Sequence, residues 1–365
     1  MSGDLGPLEG LFDRCIREQG RGRRFDLDLV GRDSRLAYML HRDGLLLQGV
    51  LRQIGDVGSI YIGYVENLDI NAVAFEREGQ DFVGLYAGAV VHIYRHFGAL
   101  LCNCTFVPSI GSPDAEAHDP RSLNYADGEQ SMVPNDPQRR SYARLLSRLA
   151  CDFLLNHEFG HLINGHLKLM KALSGTACFA ELDAVGTGTF GSLSRQALEM
   201  DADCFAVQQG VLALLECVNN PSALPESSRC WYSSVDEALR TWTLAIYGLL
   251  RLFDGSPTDL DHLEAGPHPP PPIRAMMASA TAMEVLKSRG HSDHERRCSA
   301  AFSYAMVEVE RATAEQRGAP SIDPRFILPA TDVLAIAHVG RLEQHWTNVV
   351  RPQLVPHARG GRLAP

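Results

Sequence analysis

Leu154-Leu155-Asn156-His157-Glu158-Phe159-Gly160-His161-Leu162-Ile163-Asn164-Gly165-His166 is the stretch on which the reading of this chain turns. His157 and His161 are four residues apart, so on a helix they project about 40° from one another and share a face. Two imidazoles so placed reach one Zn²⁺, and the pattern is the short His-Glu-x-x-His metal motif. Glu158 follows the first histidine directly. Zinc lowers the pKa of a nearby water, and a carboxylate in that position takes the proton as the water attacks a carbonyl. Leu146, Leu149, Phe153 and Leu154 lead into the motif with helical spacing, and Asp136-Pro137 is a helix start, a cap followed by a first-turn proline. The expected helix runs from there to about Leu173. Gly160 is costly inside it unless close packing or a nearby ligand favours it.

A third ligand has to come from elsewhere. His166 is nine residues after His157, and on a continuous helix it points about 180° away. It is therefore expected at the helix surface or end. Leu198-Glu199-Met200-Asp201-Ala202-Asp203 is the better source. Glu199 and Asp203 are again four apart on one helix face. Glu199 is the expected third ligand, with Asp203 holding the free ring nitrogen of a ligating histidine. Ala202 and Ala206 are small enough to let two helices approach closely. Farther on, His268-Pro269-Pro270-Pro271-Pro272-Ile273-Arg274 is a stiff helix entry. Its His268 or Arg274 either reaches the cleft to stabilise an oxyanion or is an ordinary surface residue.

Around this motif the 365 residues divide into two characters. The first part, 1–135, begins with a helix near Leu8–Glu18 and continues in strand-like pieces at Phe25–Val30, Leu45–Leu51 and Ser59–Val65. Ala72–Phe75 and Phe82–Tyr86 flank a polar turn and read as a hairpin, and Ala87–Leu101 reads as a helix. Pro108–Asn135 is a long polar loop, either a cleft-lining lid or plain surface. The second part, 136–350, is helix-rich, with helices expected near 194–218, 235–253, 272–287, 294–314 and 331–350. A flexible tail, 351–365, follows, with fraying expected from Leu354 onward. The fold class is α+β, a small mixed sheet with helices followed by a helical half that carries the metal site.

Composition removes several function classes. The hydrophobic fraction is 45%, the charged fraction 21% and the net charge −10, with a pI of about 5.8. These values suit a globular chain with a real core. There is no long Lys/Arg run, so no nucleic-acid partner is expected. Met1–Gly10 lacks a charged start followed by an apolar stretch, and the most apolar segment, Leu244–Phe253, is interrupted by Arg251. Neither a signal peptide nor membrane insertion is expected. The nine cysteines are odd in number, irregularly spaced and without a CxxC pair, which reads as reduced thiols in a soluble, cytoplasmic protein.

These motifs resemble the gluzincin metallopeptidases of the HtpX and CAAX prenyl protease type. The resemblance rests on His157–His161, on Glu199 with Asp203, and on His268-Pro269 with Arg274. A weaker similarity covers Asn71-Ala72-Val73-Ala74-Phe75 and the following strand. Because no spanning helix is expected, the soluble, phage-exclusion Lit-like peptidases are the more similar kind. The resemblance implies a zincin-like fold, one Zn²⁺ per chain, and hydrolysis of a peptide or protein substrate; narrow specificity is expected because an unrestrained protease inside a cell would be toxic. It implies Glu158 as general base and His268 and Arg274 near the substrate carbonyl. It also implies that a peptide adds along the edge strand Phe82, Val83, Gly84, Leu85 and Tyr86, although a buried core hairpin fits Ala72, Val73 and Val83 equally well. The competing reading is a catalytically silent zincin-fold sensor or regulatory binding protein. Oligomeric state is not legible in the sequence.

Overall fold

The computed structural model describes residues 6–27, 60–117, 121–124, 130–174, 178–180, 191–359 and 363–364. The strand expected at Leu45–Leu51 and the second half of that at Phe25–Val30 lie outside the described residues.

The chain opens with α1 (Pro7–Glu18), whose apolar face carries Leu11, Phe12, Cys15 and Ile16. Strands β1 (Arg23–Arg24), β2 (Ile60–Glu66), β3 (Ala72–Arg77) and β4 (Gln80–Tyr86) follow. The β3–β4 hairpin turns at Glu78-Gly79, both with positive φ (53° and 78°), the backbone that a tight two-residue hairpin requires. With β7 (Cys178–Ala180) these strands form a five-stranded sheet in the order β1-β2-β4-β3-β7. β2 and β4 run parallel, and the other pairs are antiparallel. Phe12 seals α1 to the sheet, with its ring 5.3 Å from Tyr61, 5.8 Å from Phe75 and 6.0 Å from Phe82. Burying one such ring stabilises by roughly 1.5–3 kcal/mol.

This order corrects the expected substrate strand. Phe82–Tyr86 is no edge. β4 is hydrogen-bonded to β2 on one side and to β3 on the other, so both rows of backbone groups are already paired. Phe82, Val83 and Leu85 are wholly buried in the core. A peptide cannot add there. The free side of β3 is also taken, by β7, which leaves β1 and β7 as the outer strands among the described residues.

Helix α2 (Ala87–Leu101) leaves β4 directly. The segment after it has structure of its own: a 3-10 turn at Pro113–Ala117 and the hairpin β5 (Arg121–Asn124) and β6 (Gln130–Val133). β6 packs on α2, and buried Glu116 accepts from the amides of Asn135 and Asp136. These residues organise the start of the next helix, α3 (Pro137–Ile163), where the Asp136 carboxylate caps Gln138 and Arg139. The start of α3 is about 30 Å from His157 along the helix, at a rise of about 1.5 Å per residue.

The remaining helices are α4 (His166–Ser174), α5 (Ser192–Asn219), α6 (Val235–Phe253), α7 (Pro271–Ser288), α8 (His294–Gln316), α9 (Val333–His345) and α10 (Arg351–Leu354). The fold is mixed α+β. α3 crosses its middle, packed against α2, α5, α6 and β3, so a single core joins the sheet to the helices. Two expectations need correction here. The helix carrying the motif stops at Ile163, because Gly165 takes φ +86° and turns the chain before α4 begins. The segment after Leu354 is also docked instead of frayed. Arg359 donates its backbone amide to Ile163 at 2.8 Å and pairs its guanidinium with Asp81. His357 lies so close to Gly165 that a Cβ there would meet its carbonyl carbon at 2.6 Å.

No described helix is long and apolar enough to cross a membrane.

Candidate metal centre

α3 and α5 cross where Gly160 faces Ala202. A Cβ on Gly160 would sit 2.9 Å from the Ala202 Cα and 3.3 Å from its Cβ, so only glycine allows this approach. That closeness is why a helix-weakening residue stands inside α3, and it sets the distance from the α3 histidines to the α5 carboxylates. Gly160→Val is expected to force the helices apart, at a cost of about 1–3 kcal/mol for overpacking, and to lower metal retention as well. Thermal unfolding and metal analysis of the same preparation check both effects. Unchanged metal retention would mean that the helix spacing does not set the site.

At this crossing His157, His161 and Glu199 come together, each at most 1% exposed. One donor atom from each lies within 4.8 Å of the others. His157 Nε2 is 3.1 Å from Glu199 Oε2 and 3.0 Å from His161 Nε2, and His161 Nε2 is 3.6 Å from the same carboxylate oxygen. Metal–ligand bonds of about 2.0–2.2 Å in a tetrahedral site place donor atoms roughly 3.3 Å apart, so the trio fits one ion.

The hydrogen bonds around the trio fix the protons on both rings. Asp203 Oδ1 is 2.9 Å from His157 Nδ1. A carboxylate only accepts, so Nδ1 carries the proton and Nε2 presents a lone pair. On the other histidine, Nδ1 of His161 is 2.8 Å from Nδ1 of His166, whose Nε2 is 2.9 Å from Asp201 Oδ2. Asp201 requires a donor at His166 Nε2; with the His166 proton placed there, its Nδ1 accepts and His161 donates to it. His161 Nε2 is then also a bare lone pair. Burial pushes the His161 pKa down to about 3, against the pull of Glu199, so the ring is neutral at ordinary pH. Burial works to raise the Glu199 pKa, but the charge of His268 beside it holds it well below the usual carboxylate range. Two lone pairs and one anion thus face each other in a buried space, and Glu199 Oε1 has no hydrogen-bond donor. These residues could hold a metal ion.

The other expected residues fall as follows. Glu158 is buried next to His157. His268, brought in by the proline run before α7, has Nδ1 3.3 Å from Glu199 Oε2. Arg274 does not take the role expected of it. Its Nε and one terminal nitrogen fork Asp203 at 2.8 and 2.7 Å, so it acts on His157 through that carboxylate instead of facing a substrate oxygen. Burial alone would raise the Asp203 pKa, but the Arg274 guanidinium and the His157 hydrogen bond lower it, keeping an anion behind the ligand.

Sequence reasoning missed a second support of the same kind, Asp201 and His166 behind His161. His166 was expected at a helix surface or end, yet it is wholly buried. The signal was Asn164-Gly165, a helix stop that rotates the following residues away from the α3 register. Arg195, one turn before Glu199 on α5, was also missed; its Nε is 3.8 Å from Glu199 Oε1. Comparison with protein-family models, curated proteins and solved structures finds no match for the chain.

Proposed function

We propose that this chain is a zinc-dependent peptidase of the gluzincin kind, with His157, His161 and Glu199 as metal ligands and Glu158 as general base. The observation that carries this reading is the buried trio of two imidazole nitrogens and one carboxylate oxygen, 3.0–3.6 Å apart, with Glu158 on the same helix as the histidines. Two imidazoles and a carboxylate suit zinc over softer or harder ions. When bound, zinc supplies a Lewis acid that polarises a carbonyl and acidifies a water at neutral pH. The rest falls to the chain's own residues. Asp203, held by Arg274, keeps His157 in the Nδ1–H form. Glu158 takes the proton of the attacking water at its carboxylate and returns it to the leaving amine. His268, beside Glu199, provides positive charge or a ring N–H toward the oxygen on which charge develops. Burial of the whole group keeps its electrostatic interactions strong.

The same burial supports a second reading, a metal-binding regulatory module without catalysis, since His157, Glu158, His161 and Glu199 are each at most 1% exposed. Metal content and hydrolysis of a panel of unfolded proteins separate the two. The peptidase reading expects zinc in the purified chain and cleavage that a chelator abolishes. Glu199→Ala is expected to weaken zinc binding more than about 100-fold, beyond the loss that follows removal of a ligand's supporting partner. Full zinc in Glu199→Ala would displace it from the ligand set. Zinc with no cleavage of any tested protein would favour the regulatory module.

A further inference from the structure

The support behind His161 does not end at Asp201. Three donors converge on that carboxylate: Asn164 Nδ2 at 2.5 Å, His166 Nε2 at 2.9 Å and the backbone amide of Ala364 at 2.6 Å. The first comes from the turn between α3 and α4 and the second from the first residue of α4. The third arrives from 163 residues away, on the segment that follows α10. That segment is fastened at two further points. Arg359 is tied to Asp81 of β4 and to the last carbonyl of α3, and the Ala364 carbonyl accepts from Trp346 Nε1 at 3.2 Å. Ala364 itself is buried, and Asp201 is wholly so.

From this geometry we propose that docking of residues 355–359 and of Leu363 and Ala364 is energetically coupled to metal binding, through Ala364, Asp201, His166 and His161 in turn. The proposal rests on the metal-centre reading above and adds a remote positioning element to it. Asp201 is fixed by the Ala364 amide. Fixed, it demands a proton on His166 Nε2, and His166 then accepts from His161 Nδ1 and leaves His161 Nε2 bare toward the ion. When the segment leaves, one of the three donors is lost from a buried carboxylate, which is free to rotate, and the His161 ring loses the support that selects its tautomer. The coupling is reciprocal by linkage: a factor gained by the metal from a docked segment is the same factor gained by docking from a bound metal.

The test uses the full chain, Asp201→Asn, Arg359→Ala, and a chain ended after Arg362. The shortened chain removes the Ala364 amide while keeping the Arg359 anchor. Asp201→Asn leaves one carbonyl oxygen to face three donors. Arg359→Ala loosens the segment without touching the metal relay. Zinc affinity is read by competition with a chromophoric chelator, and far-ultraviolet circular dichroism with thermal unfolding of the metal-free forms establishes that each variant folds. Expected is a loss of zinc affinity of about 10–100-fold for Asp201→Asn and the shortened chain, with a smaller loss for Arg359→Ala. The second readout is hydrogen exchange in the full chain. Backbone amides of 355–359 and of Leu363 and Ala364 should exchange faster after zinc removal, by the same factor that the shortened chain loses in affinity. A purely structural tail would not respond to metal. Exchange that ignores zinc, or folded variants that hold zinc as tightly as the full chain, overturns the coupling while the metal centre stands. A full chain that takes up no zinc overturns the metal-centre reading and the coupling with it.

Discussion

Glu158→Gln is expected to lower peptide hydrolysis by about 10²–10⁴-fold, the contribution of a positioned general base, while the chain keeps its metal. Glutamine has the shape of glutamate and fills the same buried space, so the α3–α5 crossing is undisturbed. It cannot accept a proton at neutral pH. Glu158 is not among the three donors that converge, so its loss takes no ligand from the ion. This separates it from Glu199→Ala, which is expected to remove metal and activity together. Metal analysis alongside steady-state kinetics reads the difference. The fall should appear in kcat, with KM little changed, because the proton transfer belongs to the transition state. Hydrolysis that survives in Glu158→Gln would end the assignment of Glu158 as base. Loss of metal would show that the residue supports the centre instead of the reaction.

The helix carrying the motif and its partner were legible because their signals are local. Asp136-Pro137 caps α3 through two adjacent amides. Glu199 and Asp203 lie on the one face of α5 that their spacing dictates, toward His157. What escaped depends on partners distant in sequence or on backbone angles. Leu162, Leu167 and Met170 are all buried and keep an apolar rhythm across Asn164-Gly165, so periodicity alone runs two helices together. Phe82–Tyr86 is a continuous apolar run, which shows burial on both faces but not which strands pair with its two edges. Only β2, parallel to it and separated from it by a whole hairpin, makes it internal. Arg274 was sorted by type as an oxyanion group, but a buried guanidinium with a carboxylate in reach forks the carboxylate. The segment after Leu354 reads as polar tail because its anchor, Asp81, is 278 residues from Arg359. The same distance rule applies to Arg139, which carries no sequence signal beyond its place after a cap.

Arg139→Met is expected to destabilise the fold by more than about 4 kcal/mol, in the range reserved for breaking a buried network. Arg139 is wholly buried, and its guanidinium donates to five backbone carbonyls, those of Leu101, Asn103, Phe106, Val107 and Ile110. Together these close the whole connection after α2. Val107 has a left-handed backbone, φ 44°, unusual for a β-branched residue and held by Arg139 at its carbonyl and Glu308 at its amide. Methionine fills much of the volume but offers no donor, so five carbonyls lose the guanidinium at once, and of these Asn103 and Val107 keep a backbone donor, from Phe106 and Ile110. Buried Glu116, 3.9 Å from Arg139 Nε, loses its nearby cation as well. Unpairing one buried charge alone costs about 3–5 kcal/mol. Arg139→Lys restores the charge but not the planar fork, and is expected to recover less than half of the loss. Urea unfolding of the metal-free chains measures both. Arg139 is about 27 Å along α3 from His157, so zinc affinity per folded chain should not move. A variant that unfolds easily yet, where folded, binds zinc like the full chain would show that α3 carries two independent tasks: one end organises the connection after α2, and the other presents the histidines.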